Sequence, residues 1–150
     1  MRGRWIVVTS WVALGLFAVT IVPDAFGLSA MDGVGVGVAL TLFLAALVIW
    51  VYAFGVGVVR SARGEDIGVA NLFFLQGSAP RDVRRHLFAA LGASVLLACG
   101  TVYANAFAAL EPMFPLALIS LWGARYGTFP ARSDMGPGHP KARTQPGGAT

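Results

Sequence analysis

The chain has 150 residues, of which 57% are hydrophobic and 12% are charged, whereas about 25% of the residues in a typical soluble domain are charged. Several apolar runs exceed the roughly 17 residues that a helix needs to cross a bilayer, so the composition excludes an ordinary soluble domain. The net charge of +4 does not indicate a nucleic-acid-binding protein, because the anionic inner leaflet of a membrane also attracts basic loops.

The first apolar run, Trp5–Val22, predicts a transmembrane helix that ends at Pro23. A cleaved signal peptide is the alternative, because Arg2 and Arg4 precede the run and Ala30 offers a cleavage site after it. The run is longer than the roughly 7–15 residues of a signal-peptide core, which favours a retained helix.

The second run lies within Val34–Val59 and is longer than the hydrocarbon core of a bilayer requires. This helix is expected to tilt, or its glycine-rich start lies at the outer interface. Residues 60–86 follow as a cytoplasmic loop. Within the loop, Ile67–Leu75 is too short to cross a bilayer, and we expect it to lie on the inner leaflet or to pack beneath the bundle.

The third run, Leu87–Ala104, is expected to continue a helix that starts in the loop. Ser78 in the N-cap position and Pro80 in the first turn indicate that start. The fourth run, Ala106–Gly123, is interrupted by Glu111, Pro112 and Pro115. It therefore begins either near Pro112 as a short helix or near Ala106 with a bend.

The predicted bundle occupies residues 1–127, and Trp122, Arg125 and Tyr126 are expected to anchor its last helix at the cytoplasmic interface. Residues 128–150 are rich in Pro, Gly and small polar residues without periodicity. Such a segment cannot bury enough apolar surface to offset its ordering entropy, so we expect a disordered basic tail.

The positive charges fix the predicted topology. The connections around Pro23–Asp32 and Asn105–Glu111 carry no Lys or Arg. By the positive-inside rule, we expect an all-α protein that crosses a membrane four times with both termini in the cytoplasm. All eleven Lys and Arg residues lie on that one predicted side: Arg2, Arg4, Arg60, Arg63, Arg81, Arg84, Arg85, Arg125, Arg132, Lys141 and Arg143.

Small residues recur every four positions in two of the runs, which places them on one face of each helix. In lipid such faces allow close approach of helices. They serve either packing within the bundle or an interface with a second copy or another subunit. The residues are Gly33, Gly37, Thr41 and Ala45 in the second run, and Ala90, Ser94 and Ala98 in the third.

Arg81, Arg84 and Arg85 share one face of the helix that enters the membrane, because they lie at positions i, i+3 and i+4. This face either binds anionic lipid head groups or only anchors the topology. Both interpretations rest on attraction between arginine and an anionic membrane surface.

Glu111 is the acidic residue predicted to lie nearest the membrane interior. An intramembrane carboxyl group is a candidate functional site, and Ser94, Thr101 and Asn105 would extend it as a polar line. The alternative places Glu111 at the outer interface, where it would cap a helix that begins at Pro112.

No set of residues with catalytic or metal-ligand spacing is present in the sequence. The two histidines are His86 and His139, there is one cysteine, Cys99, and the adjacent Glu65 and Asp66 are expected to pair with nearby arginines. We therefore predict no catalytic residue, no cofactor and no metal.

The segments Phe73–Arg85 and Leu121–Arg132 resemble stretches of small four-span integral membrane proteins of actinobacteria, a group with no assigned activity. The resemblance implies a plasma-membrane protein and transfers no functional residue. The size also resembles that of the small multidrug-resistance exporters. Their essential glutamate lies in the first span, and Trp5–Val22 contains no acidic residue.

The sequence thus predicts a non-catalytic auxiliary, scaffolding or assembly protein of the plasma membrane. Its expected partners are anionic lipids of the inner leaflet and either copies of itself or a larger membrane complex. The alternative is a small oligomeric transporter or channel subunit that uses Glu111, Asn105 and Ser94. A transporter needs a polar residue that faces a wet cavity, and a scaffold does not.

Overall fold

The computed structural model describes residues 3–27, 32–67, 73–75 and 78–129. Within these ranges the chain forms four α-helices and no strand: α1 (Arg4–Ala25), α2 (Asp32–Ala62), α3 (Arg81–Thr101) and α4 (Met113–Tyr126). A 3-10 helix, Ala106–Leu110, precedes α4. Four helical stretches are long and apolar enough to cross a membrane, the fourth being the 3-10 helix together with α4. The predicted all-α, four-span architecture is confirmed.

The helices differ from the predicted spans at their ends. α1 runs past Pro23 to Ala25, because the Phe26 N–H still donates to the Val22 carbonyl at 3.2 Å and closes the last turn. α2 is longer than predicted at both ends. α3 stops at Thr101, where the Ala104 N–H bonds back three residues and converts the helix into a turn.

The start of α3 corrects the predicted N-cap. The helix begins at Arg81, and Pro80 occupies the N-cap position without a side-chain cap hydrogen bond. Ser78 lies too early in the chain for this role. Ala79 is followed by a proline, whose ring disfavours helical conformation at the preceding residue, so the helix cannot start before Pro80.

The start of α4 decides between the two predicted alternatives. α4 begins at Met113, directly after Pro112, as the short-helix alternative required. The preceding residues are also helical, but they form the tighter 3-10 helix. Asn105 is the N-cap of that helix, and its side-chain oxygen accepts a hydrogen bond from the Phe107 N–H at 3.0 Å.

α4 contacts α1, α2 and α3, and it is the most buried helix, since every residue from Ala117 to Ala124 is buried. Ala117, Leu118 and Ile119 are almost completely buried in it, and they belong to the hydrophobic core of the bundle. Trp122, predicted as an interfacial anchor, is 2% exposed and packs inside the bundle instead. Arg125 is exposed at the end of this helix.

α2 shows which small-residue face packs inside the bundle. Its buried positions are Gly35, Ala39, Leu42, Ala46, Ala53 and Gly57. The predicted face lies on the other side: Gly33, Gly37 and Thr41 are exposed, and only Ala45 packs partly against the core. The two faces are two residues apart, which is about 200° around a helix. On α3 the predicted Ala90, Ser94 and Ala98 are buried.

Part of the predicted surface segment Ile67–Leu75 packs against the bundle. Leu75 is fully buried, and the Phe73 ring meets the Trp50 ring edge-on at 6.1 Å between centroids, whereas Phe74 is exposed. Residues 68–72 lie outside the described residues, as does the predicted tail 128–150 except for Thr128 and Phe129.

Candidate functional site

Every described arginine lies at one end of the bundle, which we call the arginine end. Contacts between helix termini establish this: the Trp5 Nε1–H donates to the Tyr126 hydroxyl at 3.2 Å, and the Thr128 N–H donates to the Ser78 carbonyl at 3.2 Å. The start of α1, the end of α4 and the start of α3 therefore meet. α1 and α3 run in one direction, and α2 and α4 run in the other.

Gly3 closes the contact between the start of α1 and the end of α4. Its φ of +74° suits glycine, and a Cβ atom there would lie 2.6 Å from Nε1 of Trp122 and 2.9 Å from the ring of Tyr126. A larger residue would meet both strain and a clash at this position. The chain therefore passes close to the aromatic end of α4 before α1 begins.

Arg60 joins α2 to the end of α4. Its guanidinium donates to the carbonyl oxygens of Ala124 at 2.8 Å and Gly127 at 2.9 Å, and it forms an ion pair with Glu65 at 2.6 Å. It also lies 4.9 Å from the centroid of the Phe129 ring. A cation at the C-terminus of α4 satisfies carbonyl groups that have no partner within the helix. The expected pairing of Glu65 with a neighbouring arginine is confirmed.

Arg81, Arg84 and Arg85 are exposed on the first turns of α3. No described acidic side chain forms an ion pair with them, since the Arg60–Glu65 pair is the one salt bridge found in the described ranges. Their charges are therefore free to face a membrane surface. Binding of anionic lipid by these three residues stays a prediction.

Glu111 lies inside the bundle with no exposed surface. Its Oε1 accepts a hydrogen bond from the Ser94 hydroxyl at 3.0 Å, whereas Oε2 has no hydrogen-bond partner among the described residues. Ser94 precedes Thr101, the last residue of α3, by seven positions, or roughly 10 Å along the helix. The carboxyl group therefore meets α3 well inside the bundle.

The helix-capping interpretation of Glu111 is wrong. Pro112 occupies the N-cap position of α4, and no side chain caps this helix. Few donors remain to be capped: Pro112 and Pro115 have no N–H, and the Phe114 N–H already donates to the Glu111 carbonyl at 3.0 Å. The side chain consequently turns to Ser94 instead.

Asn105 belongs to a second buried polar pair rather than to a continuous line with Glu111. Its Nδ2 donates to Oδ2 of Asp24 at 3.2 Å, and both residues are buried. Thr101, also predicted for this line, donates to the Leu97 carbonyl of its own helix at 2.8 Å. Asp24 was not predicted to belong to this site, although it follows an apolar run on the side without positive charge, as Asn105 does.

The pair lies at the end opposite the arginines. The Tyr103 hydroxyl donates to the Ala25 carbonyl at 3.4 Å nearby. A Cβ atom on Gly35 of α2 would lie 3.6 Å from Nδ2 of Asn105 and 3.7 Å from Oδ2 of Asp24. Three segments of the chain thus meet around one buried carboxylate and one amide.

Two grooves open at the arginine end. The first, of about 540 Å³, runs between α2 and α4. The second, of about 700 Å³, lies between α1 and α3, with Arg4 and His86 at its rim and Val8 and Trp11 in its wall. A third, smaller groove of about 300 Å³ adjoins Trp50 and Phe73. Glu111 lines none of these three grooves.

The fold and the site define a helical protein with four membrane-length stretches, basic at one end and with two buried polar pairs. In the described ranges no three His, Cys, Asp or Glu side chains come together as metal ligands. Comparison of the chain with models of protein families, with curated proteins and with solved structures finds no match. The resemblance to actinobacterial membrane proteins therefore stays a prediction.

Proposed function

We propose that the chain is a non-catalytic auxiliary, scaffolding or assembly subunit of the plasma membrane, with both termini in the cytoplasm. One observation supports this most. Inside the bundle two pairs of polar side chains, Ser94–Glu111 and Asn105–Asp24, bond to each other, whereas the exposed surfaces are apolar helix faces and arginines without ion pairs. Such a protein offers its surroundings contact surfaces rather than a reactive group.

The partners that we propose follow from these surfaces. The arginine end favours anionic lipid of the inner leaflet, and Arg81, Arg84 and Arg85 are exposed to it. The outward face of α2 with Gly33 and Gly37 permits close approach of another helix. That helix belongs to a second copy of the chain or to a larger membrane complex, which affinity purification in mild detergent with mass spectrometry would identify.

The proposed orientation is tested with reporter fusions. Because all Lys and Arg residues fall on one predicted side, a reporter active in the cytoplasm should give signal when fused after Thr150. A reporter active only after export should give signal when inserted after Asp32. Signal from an export-active reporter after Thr150 would contradict the proposed topology.

A small oligomeric transporter or channel subunit is the second candidate, and the buried Glu111 favours it. A carboxyl group inside a membrane bundle is costly, and such groups often mark ion or proton pathways. In the present arrangement the carboxyl is fully enclosed, so transport would require a second conformation that opens a path to it.

Substitution of Glu111 separates the two candidates. Gln retains an oxygen for the Ser94 hydroxyl, so Glu111→Gln should change the free energy of unfolding by only about 1 kcal/mol. If the protein is a scaffold, this variant should complement a deletion strain like the parent at matched expression. If Gln abolishes complementation while Asp retains it, the exchangeable charge is required and the transport candidate replaces the scaffold.

A further inference from the structure

The groove between α2 and α4 combines an apolar wall with a cluster of positive charge. Tyr52 and Val59 on α2 are about half exposed along it, and Ala124 of α4 forms part of the opposite side. Arg63 and Arg125 lie where the groove reaches the arginine end. An apolar groove that ends at two cations is complementary to a ligand with a long apolar chain and an anionic head group.

Arg60 also lines the groove, but its guanidinium already has partners. It donates hydrogen bonds to two carbonyl oxygens and forms an ion pair with Glu65. It therefore holds α4 against α2 and fixes the spacing of the two walls. Arg63 and Arg125 differ from it, since both are exposed and neither forms an ion pair within the described ranges. These two guanidinium groups supply the charge available to a ligand.

Gly55 leaves the groove between α2 and α4 open. It has no side chain, and a Cβ atom there would have no heavy atom from elsewhere in the fold within 4 Å. From Tyr52 to Arg63 the groove extends roughly 16 Å along α2. That length is close to the thickness of the hydrocarbon layer of one leaflet, about half of a 30 Å core.

From this geometry we infer that the groove binds one acidic phospholipid. The phosphate lies between Arg63 and Arg125, and one acyl chain follows α2 past Val59 and Gly55. The groove between α1 and α3 is larger, but it offers one arginine, Arg4, beside His86. This site is separate from the exposed face of Arg81, Arg84 and Arg85. Lipid binding in this groove requires that the chain lies in a membrane. It does not require that the protein has the proposed auxiliary role.

Native mass spectrometry of the full chain in mild detergent tests the site, with phosphatidylglycerol and phosphatidylcholine of identical acyl chains as probes. The parent should retain one phosphatidylglycerol molecule in preference to phosphatidylcholine. The Arg63→Gln, Arg125→Gln double variant should bind it roughly thirtyfold more weakly, because each arginine near an anionic head group contributes about a factor of five. Soluble glycerol phosphate at the same concentration should not compete, since it lacks the acyl chain.

Matched variants separate this groove from general charge effects. Arg84→Gln with Arg85→Gln removes the same charge from exposed positions outside the groove and should change the affinity less than threefold. Gly55→Leu fills the groove without a clash in the fold and should weaken phosphatidylglycerol binding at least tenfold. Gly92→Leu places the same side chain at an exposed glycine of α3 that has equally open space, and it should not weaken lipid binding.

Either of two results overturns the proposal: equal loss of the lipid in the two arginine double variants, or full retention of the lipid in Gly55→Leu. Unfolding temperatures recorded for all four variants show whether each is folded. If Gly55→Leu is unfolded, Gly55→Ala provides the milder test of the groove and should weaken binding measurably.

Discussion

Among the four membrane-length stretches, α2 has the highest mean hydropathy and the lowest burial, whereas the less apolar stretch that contains α4 is the most buried. In their most apolar eighteen-residue stretches, 22% of the α2 residues are buried compared with 61% for the stretch that contains α4. α2 carries no acidic residue after Asp32, whereas the α4 stretch contains Glu111, Pro112 and Pro115.

Between these two helices, the higher hydropathy accompanies exposure to lipid rather than burial in protein. A helix at the periphery must present apolar side chains, because hydrocarbon cannot satisfy polar groups. A helix at the centre can carry a carboxyl group, serines and prolines, because its neighbours supply partners. Ser94 on α3 does so for Glu111.

The largest effect is expected from shortening a leucine on each helix. Leu118→Ala in α4 removes a side chain that is 1% exposed, and Leu44→Ala in α2 removes one that is 60% exposed. We expect Leu118→Ala to lower the free energy of unfolding by about 2 kcal/mol. This value is near the low end of the range for cavities in protein cores, because burying a leucine from lipid contributes less free energy than burying it from water. Leu44→Ala should change the free energy of unfolding by less than about 0.5 kcal/mol. Unfolding by SDS from mild detergent micelles measures both values, and equal losses would refute the burial difference.

A smaller difference is expected between the two glycine faces of α2. Gly35→Leu forces a side chain towards Ile21, Asn105 and Asp24, which a Cβ atom would already contact at 3.5–3.7 Å, whereas Gly37→Leu enters open space. Both changes raise helix propensity equally. Gly35→Leu should therefore be less stable than Gly37→Leu by about 1–2 kcal/mol through overpacking.

The same pair also reports on a partner at the outward face. If Gly37→Leu unfolds as easily as Gly35→Leu, another helix covers this face in detergent. Size-exclusion chromatography with light scattering then shows whether that helix belongs to a second copy. If Gly37→Leu changes neither the stability nor the mass of the particle, the outward face of α2 lies against lipid.

The smallest effect is expected from the exposed α3 arginines. Replacing Arg81, Arg84 and Arg85 together with Gln should leave the chain in the membrane and reduce enrichment of anionic lipid around it by at most about fivefold, since an open face lets each lipid pair with one arginine at a time. The loss should be measurable at low salt and fade above about 0.1 M, where exposed charges are screened over roughly 10 Å. Lipid co-purification at two salt concentrations checks this, and no change at either would leave these residues as topology anchors.

Much of the fold could be predicted from the sequence, and less of the candidate site. Four apolar runs identified four helices, and the spacing of the arginines predicted that they share one end, as contacts such as Trp5–Tyr126 show. The ends of the helices were less predictable, because they depend on single backbone hydrogen bonds such as that of Phe26. The partner of Asn105 could not be identified, since Asp24 lies 81 residues away in the chain.

Apolar length and the cost of moving arginine through lipid are properties of local composition, so the class, the number of helices and the separation of charge follow from the sequence alone. Which face of each helix lies inside depends on contacts between distant segments, so it is known only from the folded bundle. Glycine alternates at positions 33, 35 and 37, so α2 offers small residues on opposite faces, and Asp24 and Asn105 pack against Gly35. The same packing decided the contacts of Glu111: a local pattern suggested a cap, but Ser94 provided a buried donor and the prolines left little to cap.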